Sequence, residues 1–293
     1  MKDLRRTPAP KWLLTIFAVS SITCNYKTSY AQFFVGPVTK SLGGAGRATT
    51  SGAEGPFLNP ATLAINQNFQ VGLFYGATNT ESSGSSRDLA GIFIDNNPDS
   101  PVASSLSYAR RSIEGPFGFM DQREDFVLSF GKTLLERVSF GLNVRYFRTS
   151  PNFGASKVLW NIGTGFLWSP MEDLGLALVF ENMLDEHTPD QRPAVALGSH
   201  YLFMDITRFR LDLEAPQKFN NSNRLNVMAG LEFPLPVGLA LRTGHRWDEV
   251  QDARYWTAGL GWEAPKLSLD YAYEQNSAVS GIYTHLLSLR IFF

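Results

Sequence analysis

The chain has 293 residues, a net charge of −1 and one cysteine. Near-neutral charge excludes the broad basic surface that recruits nucleic acid, and a lone thiol excludes a disulfide framework. After the N-terminal region no apolar run is long enough for a membrane-crossing helix, yet 22 Phe, 10 Tyr, 6 Trp and 25 Gly suit a membrane β-barrel with aromatic girdles.

Lys2, Arg5, Arg6 and Lys11 precede an apolar stretch from Trp12 to Ile22, and Ser29-Tyr30-Ala31 puts small residues at the −3 and −1 positions of a cleavage site. Residues 1–31 are expected to be a secretory signal peptide, with Gln32 first in the mature chain. The greasy stretch is short for a retained anchor. Cys24 follows Ser21-Ile22-Thr23, a poor lipobox, and would leave with the leader. The mature chain would then cross an oxidising compartment without needing disulfides.

Residues 32–67 are too apolar for a free tail and are expected to fold into the barrel as a hatch or plug. Small residues at Gly43, Gly44, Ala45 and Gly46 allow close backbone packing, and Asn59-Pro60 marks a turn after Phe57 and Leu58 and before Ala61. The glycines are not a phosphate loop, because no Gly-Lys-Ser or Gly-Lys-Thr follows.

From Asn68 onward, alternating segments recur at a spacing of roughly 16 to 18 residues. They predict strands at 68–77, 88–95, 103–111, 124–132, 138–148, 157–168, 173–182, 193–203, 207–214, 224–233, 237–246, 254–263, 266–274 and 282–293. The fold class is therefore all-β, a transmembrane antiparallel β-barrel over 68–293, with fourteen strands, or twelve if the second and third segments are not strands. Connections alternate between tight turns, such as Ser169-Pro170-Met171-Glu172 and Pro234-Leu235-Pro236, and longer polar loops, such as Thr78 to Arg87 and, the longest, Ser112 to Arg123. Short turns on one rim and long loops on the other are how outer-membrane barrels are built.

Period two assigns the faces. Phe69, Val71, Leu73 and Tyr75 point outward, as do Phe140, Leu142, Val144 and Tyr146, and Trp256, Ala258, Leu260 and Trp262. Inward fall Asn143, Arg145, Arg208, Arg210, Asp212, Glu214, Asn226, Glu232, Arg242, Asp270, Glu274 and Arg290. An Arg or Lys on the lipid face would cost about 2–4 kcal/mol at mid-bilayer, so the charges mark the lumen. Neighbouring strands carry opposite signs, as with Arg242, Asp270 and Arg290. Such pairs either brace the interior or line a polar conduction path. Aromatic residues collect towards both rims, Tyr75, Tyr146, Phe180, Trp256, Tyr273 and Tyr283 at one and Phe166, Trp168, Phe203, Phe233, Trp262 and Phe293 at the other.

The last strand alternates Tyr283, His285, Leu287, Leu289, Ile291 and Phe293 with a set that holds Arg290. A C-terminal Phe on an amphipathic strand resembles the signal by which bacterial barrels are recognised for outer-membrane insertion. Tyr283, Leu287, Leu289, Ile291 and Phe293 are its expected elements. The expected partners are the lipid bilayer and the barrel-assembly machinery.

The Gly-Gly-Ala-Gly stretch at 43–46, followed by Asn59-Pro60-Ala61-Thr62-Leu63-Ala64 just before the first strand, resembles the start of the FadL/TodX-like outer-membrane transporters and the related PorV-like barrels. The motif resemblance covers residues 41–75, and beyond it the match is one of architecture. It implies fourteen strands, a hatch that contains Asn59, Pro60 and Ala61 with Gly43, Gly44 and Gly46 in its tight turns, and a ligand path past Phe57 and Leu58. Where family hatches carry an acidic pair ahead of Asn-Pro, this chain has Ser51-Gly52-Ala53-Glu54, and its loops are too short for a large capturing lid.

The functional expectation is a passive transporter of small, mainly hydrophobic molecules in the Gram-negative outer membrane. A PorV-like secretion or protein-interaction scaffold and a simple structural or polar porin-type barrel are the alternatives. No catalysis, cofactor, metal or nucleic-acid partner is expected. His187 stands beside Asp185 and Glu186 in a loop, where solvated charge is the default, and no His-x-x-x-His spacing occurs.

Overall fold

The computed structural model describes residues 33–49, 53–65, 69–80, 84–97, 100–115, 120–184, 191–204, 206–216, 224–249, 251–279 and 281–293. Residues 1–31 with Gln32 and Cys24, strand residue Asn68, and the loop residues Asp185, Glu186 and His187 lie outside them.

Each of fourteen strands pairs antiparallel with its sequence neighbours, and the first pairs with the last, so the sheet closes. They are β1 (Phe69–Thr80), β2 (Gly84–Asp95), β3 (Ala103–Glu114), β4 (Met120–Leu135), β5 (Val138–Ser150), β6 (Lys157–Met171), β7 (Leu174–Glu181), β8 (Ala194–Phe203), β9 (Thr207–Pro216), β10 (Asn226–Pro234), β11 (Leu239–Asp248), β12 (Ala253–Ala264), β13 (Leu267–Asn276) and β14 (Ile282–Phe292). Closure between β1 and β14 runs in unbroken register from Gln70 opposite Phe292 to Thr80 opposite Ile282, and Phe293 N–H donates to Phe69 O at 3.0 Å. Every strand thus has two partners and no edge is left to pair with another chain.

Two expectations about the loops need correction. The first hairpin, expected to loop from Thr78 to Arg87, instead continues its ladder through Thr78↔Ser86 to Thr80↔Gly84. Likewise β3 and β4 pair as far as Glu114 and Met120, which shortens the Ser112–Arg123 loop, so the longest connection is the one from β7 to β8. Polar composition reads as loop, yet a wet ladder still satisfies its backbone groups by pairing. The rims are also less strictly divided than expected. The β2–β3 connection, on the short-turn rim, is longer than the β1–β2 turn, and its Asn96 is buried and donates to Leu63 O at 2.6 Å.

Outward positions are apolar and exposed all round the wall, for example Leu73, Leu89, Leu106, Trp160, Leu197, Trp256 and Leu287. Inward positions are buried and include both the charged residues and a series of glycines. Residues 33–49 and 53–65 pack on that inward face. They form two short helices, α1 (Pro37–Ser41) and α2 (Gly55–Leu58), and a 3-10 helix (Pro60–Ala64). Helix α1 touches β11–β14 while the 3-10 helix touches β3–β6, so the segment spans the interior from wall to wall.

Candidate functional site: the occupied lumen

The segment fits because the wall lacks side chains where it passes. A Cβ on Gly141 would run into the backbone of Pro60 and Ala61, and one on Gly244 would meet the backbone of Leu42 and Gly43. Glycine is thus required at these strand positions for close approach, although it weakens a strand elsewhere. Gly43 (φ 70°) and Gly44 (φ 95°) take left-handed backbone in the turn that follows α1. Gly46 does not share that conformation. Its place is set by contact, since its N–H donates to Asp212 at 2.9 Å and a Cβ would lie 2.7 Å from the Thr39 hydroxyl.

Asn59 ties the segment to itself. Its side-chain oxygen caps the 3-10 helix by accepting from Ala61 N–H at 3.0 Å, and its amide donates to Arg47 O at 2.9 Å. Capping satisfies one donor that the helix start leaves open, which explains asparagine ahead of proline here. Glu54, the carboxylate standing where the resemblance implies an acidic pair, accepts from Val38 and Thr39 N–H at 2.8 and 2.9 Å at the first turn of α1. Burial pushes its carboxyl above the usual carboxylate range against those hydrogen bonds.

The lumen has two chemically distinct halves. Against β1–β5, Phe33, Phe34, Phe57 and Leu63 pack with Phe74, Ile92, Ile94, Val127 and Phe147. Ring pairs Phe33–Phe147 at 5.3 Å, Phe34–Phe57 at 4.9 Å and Phe34–Phe74 at 5.4 Å hold favourable edge-to-face or tilted arrangements. Two ion pairs border this half: Arg145 Nε lies 3.5 Å from Asp125, and Arg111 Nε lies 2.6 Å from Asp88 with its guanidinium 5.3 Å from the Phe33 ring centre.

The other half is charged. Glu232 accepts from Arg208 at 2.6 Å, Arg210 at 3.3 Å and Arg242 at 2.8 Å. Arg242 also reaches Asp270 at 2.8 Å, and Asp270 meets Arg290 at 2.9 Å. The pairing of Arg242, Asp270 and Arg290 expected from alternating signs is therefore formed. Its passage over β12 depends on Gly261, where a Cβ would lie 2.7 Å from both Arg242 Nη1 and Asp270 Oδ1. Asp212 and Glu274 join the N-terminal segment instead: Lys40 Nζ lies 2.8 Å from Glu274, which also faces Arg246 at 3.3 Å.

Arg47 is the residue that sequence reasoning missed. It is fully buried and faces Glu181 at 2.9 Å, Asp212 at 3.5 Å and Glu214 at hydrogen-bond distance. Asp212 also accepts from the N–H of Gly46 and of Arg47 itself, at 2.9 and 3.0 Å. Burial opposes the charge on Arg47, but Glu181, Glu214 and Asp212 outweigh it and hold the guanidinium above its ordinary value. The available signal was a lone cation in a small-residue segment facing a barrel with a surplus of acids on β7–β9.

The described histidines are engaged structurally. His200 lies 2.7 Å from Ala48 O, His245 stacks on Trp247 at 4.0 Å, and His285 meets the Tyr271 hydroxyl at 2.7 Å. On β14, Tyr283, Leu287, Leu289 and Ile291 face outward, and Phe293, just past its end, is exposed and packs on Phe69 at 5.3 Å.

A closed fourteen-stranded antiparallel barrel with its own N-terminal segment inside defines the class of fold. Solved structures superpose on this barrel, among them channels and transporters of hydrocarbons. The CymD monoaromatic hydrocarbon channel superposes with a TM-score of 0.68 at 14% identity, covering 88% of this chain and 97% of that one. A FadL homologue of Pseudomonas aeruginosa gives 0.69 at 12% identity, covering 89% and 99%. The toluene transporter TbuX of Ralstonia pickettii gives 0.67 at 12% identity, covering 88% and 98%. At these identities the likeness is one of fold. No protein-family model matches the chain, and no curated protein matches it in sequence.

Proposed function

We propose that the protein is an outer-membrane channel for small, mainly hydrophobic molecules, with residues 32–67 acting as a hatch that shifts to open a path. The observation that carries this reading is the divided lumen. Phe33, Phe34 and Phe57 close an apolar half against β1–β5, while Lys40 and Arg47 anchor the same segment in the charged half. A hatch held by charge on one side and by shape on the other can give way on the apolar side. The exposed apolar wall supports residence in a bilayer, where such a belt is matched by lipid, and a signal peptide at 1–31 and the terminal Phe293 strand fit delivery by the assembly machinery. The fold likeness to hydrocarbon channels points to the solute class. Transport would be passive and non-enzymatic.

A PorV-like scaffold is the second reading, favoured by one observation: side chains fill both halves of the lumen. Flux separates the two. Gram-negative cells that carry the protein in the outer membrane should take up a small aromatic hydrocarbon faster than cells that lack it, with disaccharide uptake unchanged. Hydrocarbon uptake equal in the two would favour the scaffold.

A further inference from the structure

On the outer wall, Tyr108, Phe126, Tyr146 and Trp160 lie directly opposite one another across β3–β6. Their rings follow in sequence at 4.6, 5.9 and 5.1 Å, an unbroken aromatic row. Two residues nearer the long-loop rim, the outward positions change character. Arg110, Glu124 and Arg148 stand opposite one another on β3, β4 and β5. Glu124 accepts from the Tyr108 hydroxyl at 2.9 Å and lies 3.8 Å from Arg148, whose side chain is 48% exposed. The Nε of Arg110 is shielded and has no hydrogen-bond partner among the described residues. Arg87, exposed on β2, adds a third cation, and Glu114 lies further up β3 against the Ser85 hydroxyl. Glu124 is thus flanked on both sides by guanidinium groups, with Arg110 and Arg148 two strands apart, about 10 Å between backbones.

Aromatic rings mark the depth where acyl chains meet headgroups, and arginines just beyond that depth meet phosphate, which they bind with a planar fork of donors. We propose that this sector of the wall is a binding site for an anionic, phosphate-bearing lipid of the leaflet at the long-loop rim. Arg110 and Arg148 hold the headgroup phosphate, Arg87 adds attraction, and the aromatic row packs the upper acyl chains. Glu124 fixes Tyr108 and keeps the two arginines apart. The site rests on the membrane reading above, and it is independent of what passes through the lumen.

Native mass spectrometry of the detergent-solubilised protein, titrated with phosphatidylglycerol and with phosphatidylcholine of the same chains, tests it. The wild type should retain the anionic lipid over the zwitterionic one by about tenfold or more. The pair Arg110→Gln with Arg148→Gln should abolish that preference, the corresponding Lys pair should keep part of it, and Arg254→Gln on the far wall should leave it intact. Heat-modifiable gel migration shows that each barrel is folded. Equal retention of both lipids by the wild type, an unchanged preference in the folded Gln pair, or displacement of the lipid by an equal concentration of inorganic phosphate would overturn the site. A protein recovered in the aqueous phase without detergent would overturn both the site and the membrane reading. Hydrocarbon flux unchanged in the Gln pair would leave the channel standing by itself.

Discussion

Arg47 illustrates how one side chain can hold a segment in place. Its guanidinium faces Glu181, Asp212 and Glu214 at once, and removing the cation from such a buried cluster costs about 3–5 kcal/mol because the carboxylates lose their compensating charge. Arg47→Ala should therefore leave a folded, heat-modifiable barrel whose segment 33–64 is cut by added protease much faster than in the wild type. Arg47→Lys, with charge but no planar fork, should fall between. Glu54 makes a complementary prediction about pH. Burial raises its folded-state value, so its contribution to stability is present below the unfolded carboxylate value and is lost as pH rises through the folded one. The unfolding midpoint of Glu54→Gln relative to wild type should rise as pH increases from 4 towards neutrality, and a flat difference would show that Glu54 is not tuned in this way.

Alternation made twelve of the strands legible, with the faces of those that carry the lumen charges, while β2 and β3 rest on the paired ladder of the closed sheet. The strand ends were not legible, because the Thr78–Arg87 stretch is polar in composition yet pairs as a ladder. The seat for the N-terminal segment was also hidden, since a strand glycine looks alike whether it faces lipid, a turn or another backbone. Gly141 tests that seat. Gly141→Val places its side chain in the backbone of Pro60 and Ala61, so the 3-10 helix must move. The barrel should still insert, but single-channel recordings should show frequent openings that the wild type lacks. At the closing strand, Phe293→Ala removes the ring packed on Phe69 and the expected recognition residue. Folded barrel yield should fall several-fold in native expression, read as loss of heat-modifiable migration, and an unchanged yield would mean the terminal motif is incidental.

At the scale of the molecule the wall and its filling are separable. Strand pairing starts in β1 and closes with β14 without using residues 33–64. Deleting that segment should give a barrel that inserts and exposes Arg145, Arg210, Asp212, Arg242, Asp270 and Arg290 to water. Barrel diameter grows with strand number and sixteen-stranded porins already enclose a channel, so ions should pass through fourteen strands. Planar bilayers should record low conductance for the intact protein and high conductance for the deletion. Equal low conductance in a folded deletion would show that wall side chains alone fill the interior, and would favour the scaffold.

By itself the sequence narrowed the strand number to fourteen or twelve and gave the phase of the charge-bearing strands and the sign of the lumen charges, because alternation, turn residues and the avoidance of charge on an apolar face are local properties, and closure of the sheet settled fourteen. It also marked Asn59-Pro60 and the Gly43–Gly46 stretch as special. Only the tertiary structure decided that Arg47 meets three carboxylates, that Glu54 caps α1 and that the apolar and charged halves of the lumen lie on opposite walls. Those outcomes depend on register around a closed sheet and on how near a glycine-lined wall lets a second backbone approach, and neither is encoded within any short window of residues.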